Sequence, residues 1–191
     1  KLMQLELLRS YRRQYGLDGV QLILGNLYGP GDQSGHVIPS LIWRILTCQR
    51  SGAPLIVWGS GQASREFLHV TDAARAVVNA VTHPRRLPVD HLNICSGEEW
   101  RIRDLVTLLC DDLGYRGPVA WDASKPNGQL RRQFSYAQAY HLLDWRPVVK
   151  LPTGLAETVA WWQAGCPLDH PTASRRDTPA VDDPAEDPEP S

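Results

Sequence analysis

Apolar residues recur along the chain in two alternating patterns, one helical and one of strand length. Leucines at positions 2, 5 and 8 begin a helical pattern that continues to Tyr15 and stops at Gly16, as a helix with a glycine C-cap would. The next apolar run, VQLIL at 20–24, has the length and composition of a strand buried on both faces. The pattern therefore predicts an opening helix followed by a buried strand.

The same alternation continues to residue 163. Further strands are predicted at 55–58, 67–70, 92–95 and 119–121. Further helices are predicted at 41–50, from a cap at Thr71 or Asp72 to about 83, and at 100–113, 136–143 and 153–163. Strands that alternate with helices at this spacing predict an α/β fold with a mainly parallel sheet.

Composition and charge narrow the class of protein. Of the 191 residues, 42% are hydrophobic and 21% are charged, with a formal net charge of −1. These values are ordinary for a globular protein, and no basic field favours nucleic acid. No apolar stretch reaches the ~20 residues of a membrane span, and no secretory signal is visible, so the cytoplasm is the predicted location. The four cysteines and six histidines lack metal-site spacings, and reduced thiols are expected.

The two ends of the chain differ from the rest. From Cys166 onward, prolines are interleaved with acidic residues, and large apolar residues are almost absent. This composition predicts a disordered tail at 166–191, with the folded part at 1–165. The first residue, Lys1, already lies inside the helical pattern, which predicts a fragment of a longer protein.

Two loops carry candidate polar groups near the sheet. NLYGPGD at 26–32 leaves the end of the first predicted strand, and ligands of open α/β sheets bind at that edge. Asn26 can donate and accept hydrogen bonds there, although an ordinary strand-to-helix turn explains the same segment. His36 precedes the next helix, where an imidazole can act as a general acid. A purely structural histidine is the alternative.

Two arginines are candidates for binding an anion. Arg65 stands just before an apolar strand segment, and its planar guanidinium can donate two parallel hydrogen bonds to a diphosphate. The alternative is a structural ion pair with Glu66 or another carboxylate. Arg44 either converges on the same anion or faces solvent from its helix.

One aromatic residue and one further loop complete the candidates. Trp58 ends a predicted strand just before Gly59, where its ring either stacks on a base or sugar or is buried. The loop DASKPNG contributes hydrogen-bonding groups at Asp122 and a positive charge at Lys125.

Taken in order, these segments resemble one family. NLYGP, HVIPSLIWR, VWGSGQASREFLHVTDAA and DASKPNG together resemble the carboxyl half of the GDP-L-fucose synthase family. That family is a branch of the extended short-chain dehydrogenase/reductase group of nucleotide-sugar epimerases. The resemblance runs from Lys1 to Trp162. It implies the last strands of a Rossmann-like NAD(P)-binding domain, interleaved within 1–165 with a smaller α/β substrate-binding domain.

The resemblance also implies a reaction and a cofactor. The family epimerises C3 and C5 of GDP-4-dehydro-6-deoxy-D-mannose and reduces C4 with NADPH, which gives GDP-L-fucose. Lys1 is similar to the lysine of the family's Y-x-x-x-K pair, whose charge lowers the pKa of the catalytic tyrosine. His36 is similar to the acid of the epimerisation. The residues similar to the family's NADP(H)-binding positions are Lys1, Leu24, Gly25, Asn26, Leu27 and His36.

Substrate-binding positions and a homodimer are implied in the same way. The residues similar to those that hold GDP are Arg44, Trp58, Arg65, Asp122 and Lys125. The opening helix is similar to the one that forms the family's dimer interface. Leu24-Gly25 departs from the family's usual Pro-Thr, and the loop between 32 and 36 is shorter.

The resemblance covers only part of the family's catalytic machinery. The cofactor-binding glycine loop and the catalytic tyrosine would precede Lys1, so this chain alone is expected not to turn over substrate. Two other functions stay open. One is a different nucleotide-sugar epimerase or dehydratase, and the other is a non-catalytic nucleotide-sugar-binding module.

Overall fold

The computed structural model describes residues 2–125 and 129–165 of the chain. Its helices are α1 (Leu2–Tyr15), α2 (Val37–Ser51), α3 (Val70–Val81), α4 (Ile102–Leu113), α5 (Ala137–Leu143) and α6 (Leu151–Gln163). Its strands are β1 (Gln21–Leu24), β2 (Asn26–Tyr28), β3 (Leu55–Trp58), β4 (Ser64–His69), β5 (His91–Ile94), β6 (Glu99–Arg101) and β7 (Val119–Asp122). The predictions for Lys1 and for the tail at 166–191 concern residues outside this description.

The strands form three small sheets. β1 pairs with β5 and β3 pairs with β7, both in parallel. β4 is the centre of the third sheet, parallel to β2 and antiparallel to β6. Within the described residues only the β4–β6 pairing is antiparallel, which confirms the α/β class with mainly parallel strands. The division of 1–165 into two interleaved domains stays a prediction.

Two apolar cores hold these sheets. The larger core packs α2, α4 and α6 against β3 and β4, with fully buried Ile42, Leu105 and Leu155 at its centre. The smaller core packs α3 and α5 against β1 and β5, with Leu92 and Trp145 fully buried. Leu55 and Val57 of β3 belong to the larger core, and Trp121 of β7 packs against it. The β3–β7 sheet is therefore anchored to a close-packed interior.

Several element boundaries differ from the sequence prediction. Residues 26–28 of the NLYGPGD loop form β2, because their backbone pairs with β4. The predicted helix at 100–113 begins at Ile102, since the preceding residues form β6. The N-cap of α3 is His69, whose Nδ1 accepts a hydrogen bond from the Thr71 amide at 3.4 Å. Pairing with β4 set the bounds of β2 and the start of α4. The His69 side chain set the start of α3.

Candidate functional site

The carboxyl ends of β3 and β7 carry three of the predicted substrate-binding residues. Trp58 lies opposite Asp122 in the parallel register, and the Gly59 amide donates a hydrogen bond to the Asp122 carbonyl at 2.8 Å. The Trp58 side chain is 59% exposed, which excludes the interpretation of a buried core tryptophan. The ammonium of Lys125 lies 5.9 Å from the centroid of the Trp58 ring. The exposed Trp58 ring therefore has a cation over it.

The Asp122 carboxylate orders the loop that follows β7. Its Oδ1 accepts hydrogen bonds from the Ser124 amide at 3.1 Å and the Ser124 hydroxyl at 2.5 Å. These bonds hold the pKa of Asp122 below its ordinary value, with a smaller contribution from the positive charge of Lys125. The loop thus starts as a closed turn with a charged carboxylate beside Trp58.

Arg44 reaches the same small sheet from α2. Its guanidinium donates a hydrogen bond to the carbonyl of Ile56 on β3, and its side chain is half-buried. Burial lowers the pKa of Arg44. The alternative of a solvent-facing Arg44 therefore gives way to an arginine packed against β3. We call Arg44, Trp58, Asp122 and Lys125 the β3–β7 platform.

Arg65 on β4 bonds the backbone at Gln129, the residue that follows DASKPNG. Its Nη1 donates to the carbonyl of Ser64 at 2.7 Å and to the carbonyl of Gln129 at 2.6 Å. Glu66 instead accepts from a different segment, since successive side chains of a strand point to opposite faces. The predicted alternative of an Arg65–Glu66 ion pair is therefore wrong. Gln129 follows DASKPNG in the sequence, so Arg65 bonds the first described residue after that segment.

Glu66 has a buried carboxylate whose role the sequence did not indicate. The residue is 2% exposed, and its Oε2 accepts a hydrogen bond from the Phe134 amide at 3.0 Å. Its Oε1 has no hydrogen-bond partner within the described part of the chain. Burial raises the pKa of Glu66, because desolvation disfavours the charged form. Glu66 thus connects the backbone at Phe134 to β4. Its burial makes the ionised form of the carboxyl less favourable.

We expect the Glu66→Gln variant to change how stability depends on pH. A carboxyl whose pKa is raised by folding contributes stability at low pH, and that contribution is lost as pH rises above the ordinary value of 4.5. The free energy of unfolding of the native chain should therefore fall relative to Glu66→Gln as pH rises from 4 to 7, by at most about 1.4 kcal/mol per pH unit. Urea unfolding at each pH measures the difference.

A matched carboxyl checks this expectation. Glu6 is exposed on α1, so Glu6→Gln controls for the removal of one surface carboxylate by the same substitution. A Glu66→Gln difference that does not change with pH would contradict an ionised, desolvated Glu66.

Four of the predicted cofactor-binding residues, at positions 24–27, lie at and just after the carboxyl end of β1. The Gly25 amide donates to the carbonyl of Ile94 on β5 at 2.8 Å, and the Asn26 side chain donates to the Glu66 carbonyl at 2.8 Å. Leu24 and Gly25 are half-buried, whereas the Asn26 and Leu27 side chains are exposed. The structure therefore gathers residues 24–27 at one sheet edge and joins that edge to β4.

His36 occupies the N-cap position of α2. Its backbone is extended, its side chain is exposed, and the imidazole makes no capping hydrogen bond. The imidazole is thus accessible to a ligand, while it belongs to a different segment from residues 24–27. Lys1, the other predicted catalytic residue, lies outside the described residues.

Across residues 2–125 and 129–165, no group of three or more His, Cys, Asp or Glu side chains is arranged to hold a metal ion. In the same part of the chain, none of the helices has the length and hydropathy needed to cross a membrane.

Comparison with known sequences gives the geometry a context. Residues 1–95 match the NAD dependent epimerase/dehydratase family. The chain is 37% identical over 167 residues to the probable GDP-L-fucose synthase 1 of Oryza sativa subsp. japonica, a match that covers 85% of this chain and 50% of that protein.

Solved structures share the fold. The GDP-L-fucose synthetase of Naegleria fowleri bound to NADP matches with a TM-score of 0.76 and 26% identity, covering 86% of this chain and 54% of that one. The UDP-glucose 4-epimerase of Thermotoga maritima with UDP-glucose matches with a TM-score of 0.74 and 27% identity, covering 86% and 52%. The chain thus spans about half the length of these relatives, and the prediction of a partial Rossmann-like α/β fold is confirmed.

Proposed function

The chain belongs to the NAD dependent epimerase/dehydratase family, and from that premise we propose that it forms the nucleotide-sugar-binding part of a GDP-L-fucose synthase. The proposed reaction of the whole protein is the NADPH-dependent 3,5-epimerisation and 4-reduction of GDP-4-dehydro-6-deoxy-D-mannose to GDP-L-fucose. The relatives named GDP-L-fucose synthase support this reaction. Location in the cytoplasm stays a prediction.

The exposed Trp58 ring with the Lys125 ammonium over it is the observation that carries the proposal. Trp58 offers an exposed ring for stacking, and Lys125 lies over the same ring. Arg65 on β4 donates from Nη1 to the carbonyls of Ser64 and Gln129. The rest of its planar guanidinium can donate to a diphosphate. A stacking ring with a cation over it, together with such an arginine, suits a nucleoside diphosphate.

The residues at the carboxyl end of β1 fit the nicotinamide part of NADP(H). Asn26 uses its Nδ2 to bond Glu66, which leaves its carbonyl oxygen as an acceptor, and Leu27 presents an exposed apolar surface. Parallel strands place such groups where dinucleotides bind in α/β sheets. When bound, the cofactor would supply the hydride for the reduction at C4. Leu24, Gly25, Asn26 and Leu27 would hold it.

His36 is proposed as the proton donor of the epimerisation. Its exposed imidazole at the start of α2 is of the residue type that exchanges protons most readily near neutral pH. A proton donor to a sugar carbon must be accessible to the substrate. The His36 imidazole is exposed and makes no capping hydrogen bond to the helix.

The whole protein is proposed to form a homodimer through α1. Met3, Leu7, Tyr11 and Tyr15 are four residues apart and between 46% and 84% exposed, and this spacing places them on one helix face. Their apolar surface suits a second copy of the same helix, because such stripes on soluble proteins mark contact surfaces.

Calorimetric titration of the full chain with GDP, UDP and dTDP tests the proposed nucleotide. GDP should bind at least roughly 10-fold more tightly than the other two, equivalent to about 1.4 kcal/mol. Tighter binding of UDP, as the likeness to a UDP-glucose epimerase would suggest, would favour another nucleotide-sugar epimerase instead. Binding of none of the three would contradict a nucleotide site on the platform.

A further inference from the structure

The turn between Trp58 and Arg65 contains two glycines in the left-handed region of backbone conformation. Gly59 and Gly61 adopt φ values of 83° and 74°, in the left-handed region that glycine tolerates best. This turn joins the stacking ring on β3 to the arginine on β4. Its conformation therefore decides how far apart, and at what angle, the two ligand-binding side chains lie.

Arg103, at the start of α4, contacts this turn through both backbone and side chain. Its amide donates to the carbonyl of Gly61 at 3.0 Å, and its Nη2 donates to the carbonyl of Ser60 at 2.9 Å. One residue earlier, the Ile102 amide donates to the Ala63 carbonyl at 2.9 Å. The start of α4 thus donates three hydrogen bonds to carbonyls between residues 60 and 63.

Trp121 packs against Arg103 and against the turn at Gly61. Its ring centroid lies 4.8 Å from the Arg103 guanidinium carbon, a cation–π distance. A Cβ added at Gly61 would lie 2.6 Å from the Trp121 ring and 3.1 Å from the Cβ of Arg103. Gly61 therefore sits directly against both side chains, without room for even a methyl group.

Trp121 also links the turn to the platform itself. It precedes Asp122 on β7 and pairs in register with Val57, next to Trp58. The Arg103 guanidinium can stack on Trp121 and donate to Ser60 at the same time because it is planar and has several N–H groups. An ammonium group has no such plane, so lysine is a poor replacement.

We propose that Arg103 and Trp121 are positioning residues that fix the turn at 59–61, and thereby set Trp58 and Arg65 for binding a nucleoside diphosphate. The inference rests on the proposed nucleotide site for its ligand. The positioning itself acts on the free protein and is measurable without any ligand.

The test compares Arg103→Ala, Arg103→Lys and Trp121→Phe with Arg116→Ala in the full chain. Arg116 is an exposed arginine paired with Asp111, so its removal controls for the loss of one positive charge. Two readouts are taken. The heteronuclear ¹⁵N NOE of the Gly59, Ser60 and Gly61 amides reports the order of the turn, and calorimetry reports the affinity for GDP, UDP and dTDP.

Arg103→Ala should lower the NOE of the three amides and weaken the preferred nucleotide roughly 10-fold, as the loss of a charge-assisted hydrogen bond implies. Arg103→Lys should fall between Arg103→Ala and the native chain, whereas Trp121→Phe, which keeps an aromatic face, and Arg116→Ala should stay close to native. If the NMR spectrum of Arg103→Ala shows that this variant is unfolded, the test is the comparison of Arg103→Lys with Trp121→Phe. Arg103→Lys should then have the lower NOE values and the weaker nucleotide affinity.

The outcomes separate this inference from the proposed function. Unchanged amide NOE values in the Arg103 variants would overturn the positioning role, and so would a disordered turn with unchanged nucleotide affinity. A native chain that binds no nucleotide, together with a turn that loses order in the variants, would refute the nucleotide site and support the positioning of the turn.

Discussion

The Asp72→Ala variant is expected to lose about 2–4 kcal/mol of unfolding free energy, because two backbone amides lose their acceptor at about 1–3 kcal/mol each. Asp72 is fully buried. Its Oδ1 accepts from Arg75 at 2.6 Å, and its Oδ2 accepts from the amides of Val148 and Val149 at 3.0 and 2.9 Å. One carboxylate therefore ties α3 to the segment that leads into α6, and alanine would leave those donors without an acceptor.

Chemical unfolding in urea, followed by circular dichroism, measures this loss. Asp111→Ala is the matched control, because Asp111 forms an ion pair with Arg116 in which both side chains are more than 60% exposed. Removing that exposed pair should change the unfolding free energy by less than about 1 kcal/mol. A similar loss of unfolding free energy in both variants would show that the burial of Asp72 does not increase its contribution to stability.

The second large effect is expected on ligand binding. Arg65→Ala should weaken GDP roughly 10- to 150-fold, since hydrogen bonds to charged groups contribute about 1.5–3 kcal/mol each. The proposed diphosphate contact would disappear together with the tie to the Gln129 carbonyl. Calorimetric titration of the full chain gives the change in Kd directly.

The conservative variant separates these two causes. Arg65→Lys keeps the positive charge but loses the planar pair of donors, so its Kd should lie between those of the native chain and Arg65→Ala. The unfolding midpoint of each variant shows whether the loop tie matters for stability. An affinity for GDP that is equal in all three proteins would contradict the assignment of Arg65 to the diphosphate.

Much of the backbone was predictable because local periodicity reports which side of an element is buried. The strands at 55–58 and 119–121 and the helix ending at Gly114 follow directly from apolar spacing and glycine position. The short strand β2 was not predictable in this way. Its three residues lie in a glycine- and proline-rich segment, and only pairing with β4 makes them a strand.

The site divides along the same line. Residue type and the family resemblance predicted Arg44, Trp58, Arg65, Asp122 and Lys125 as substrate-binding residues before any contact was known, and that role stays a prediction. Their environments required the fold. Trp58 is exposed rather than buried, and Arg65 bonds a carbonyl 64 positions away rather than its neighbour Glu66. These outcomes depend on which segments the chain brings together.

The sequence by itself determined the α/β alternation and the order of the candidate motifs, because periodicity and residue chemistry are local properties. Only the tertiary structure decided that Glu66 is a buried carboxylate with one oxygen that lacks a hydrogen-bond partner among the described residues, and that Arg103 and Trp121 pack against the turn at 59–61. No spacing along the chain encodes those contacts. They arise when β4, α4 and β7 pack around one turn, and the desolvation and steric fit at that point depend on all three.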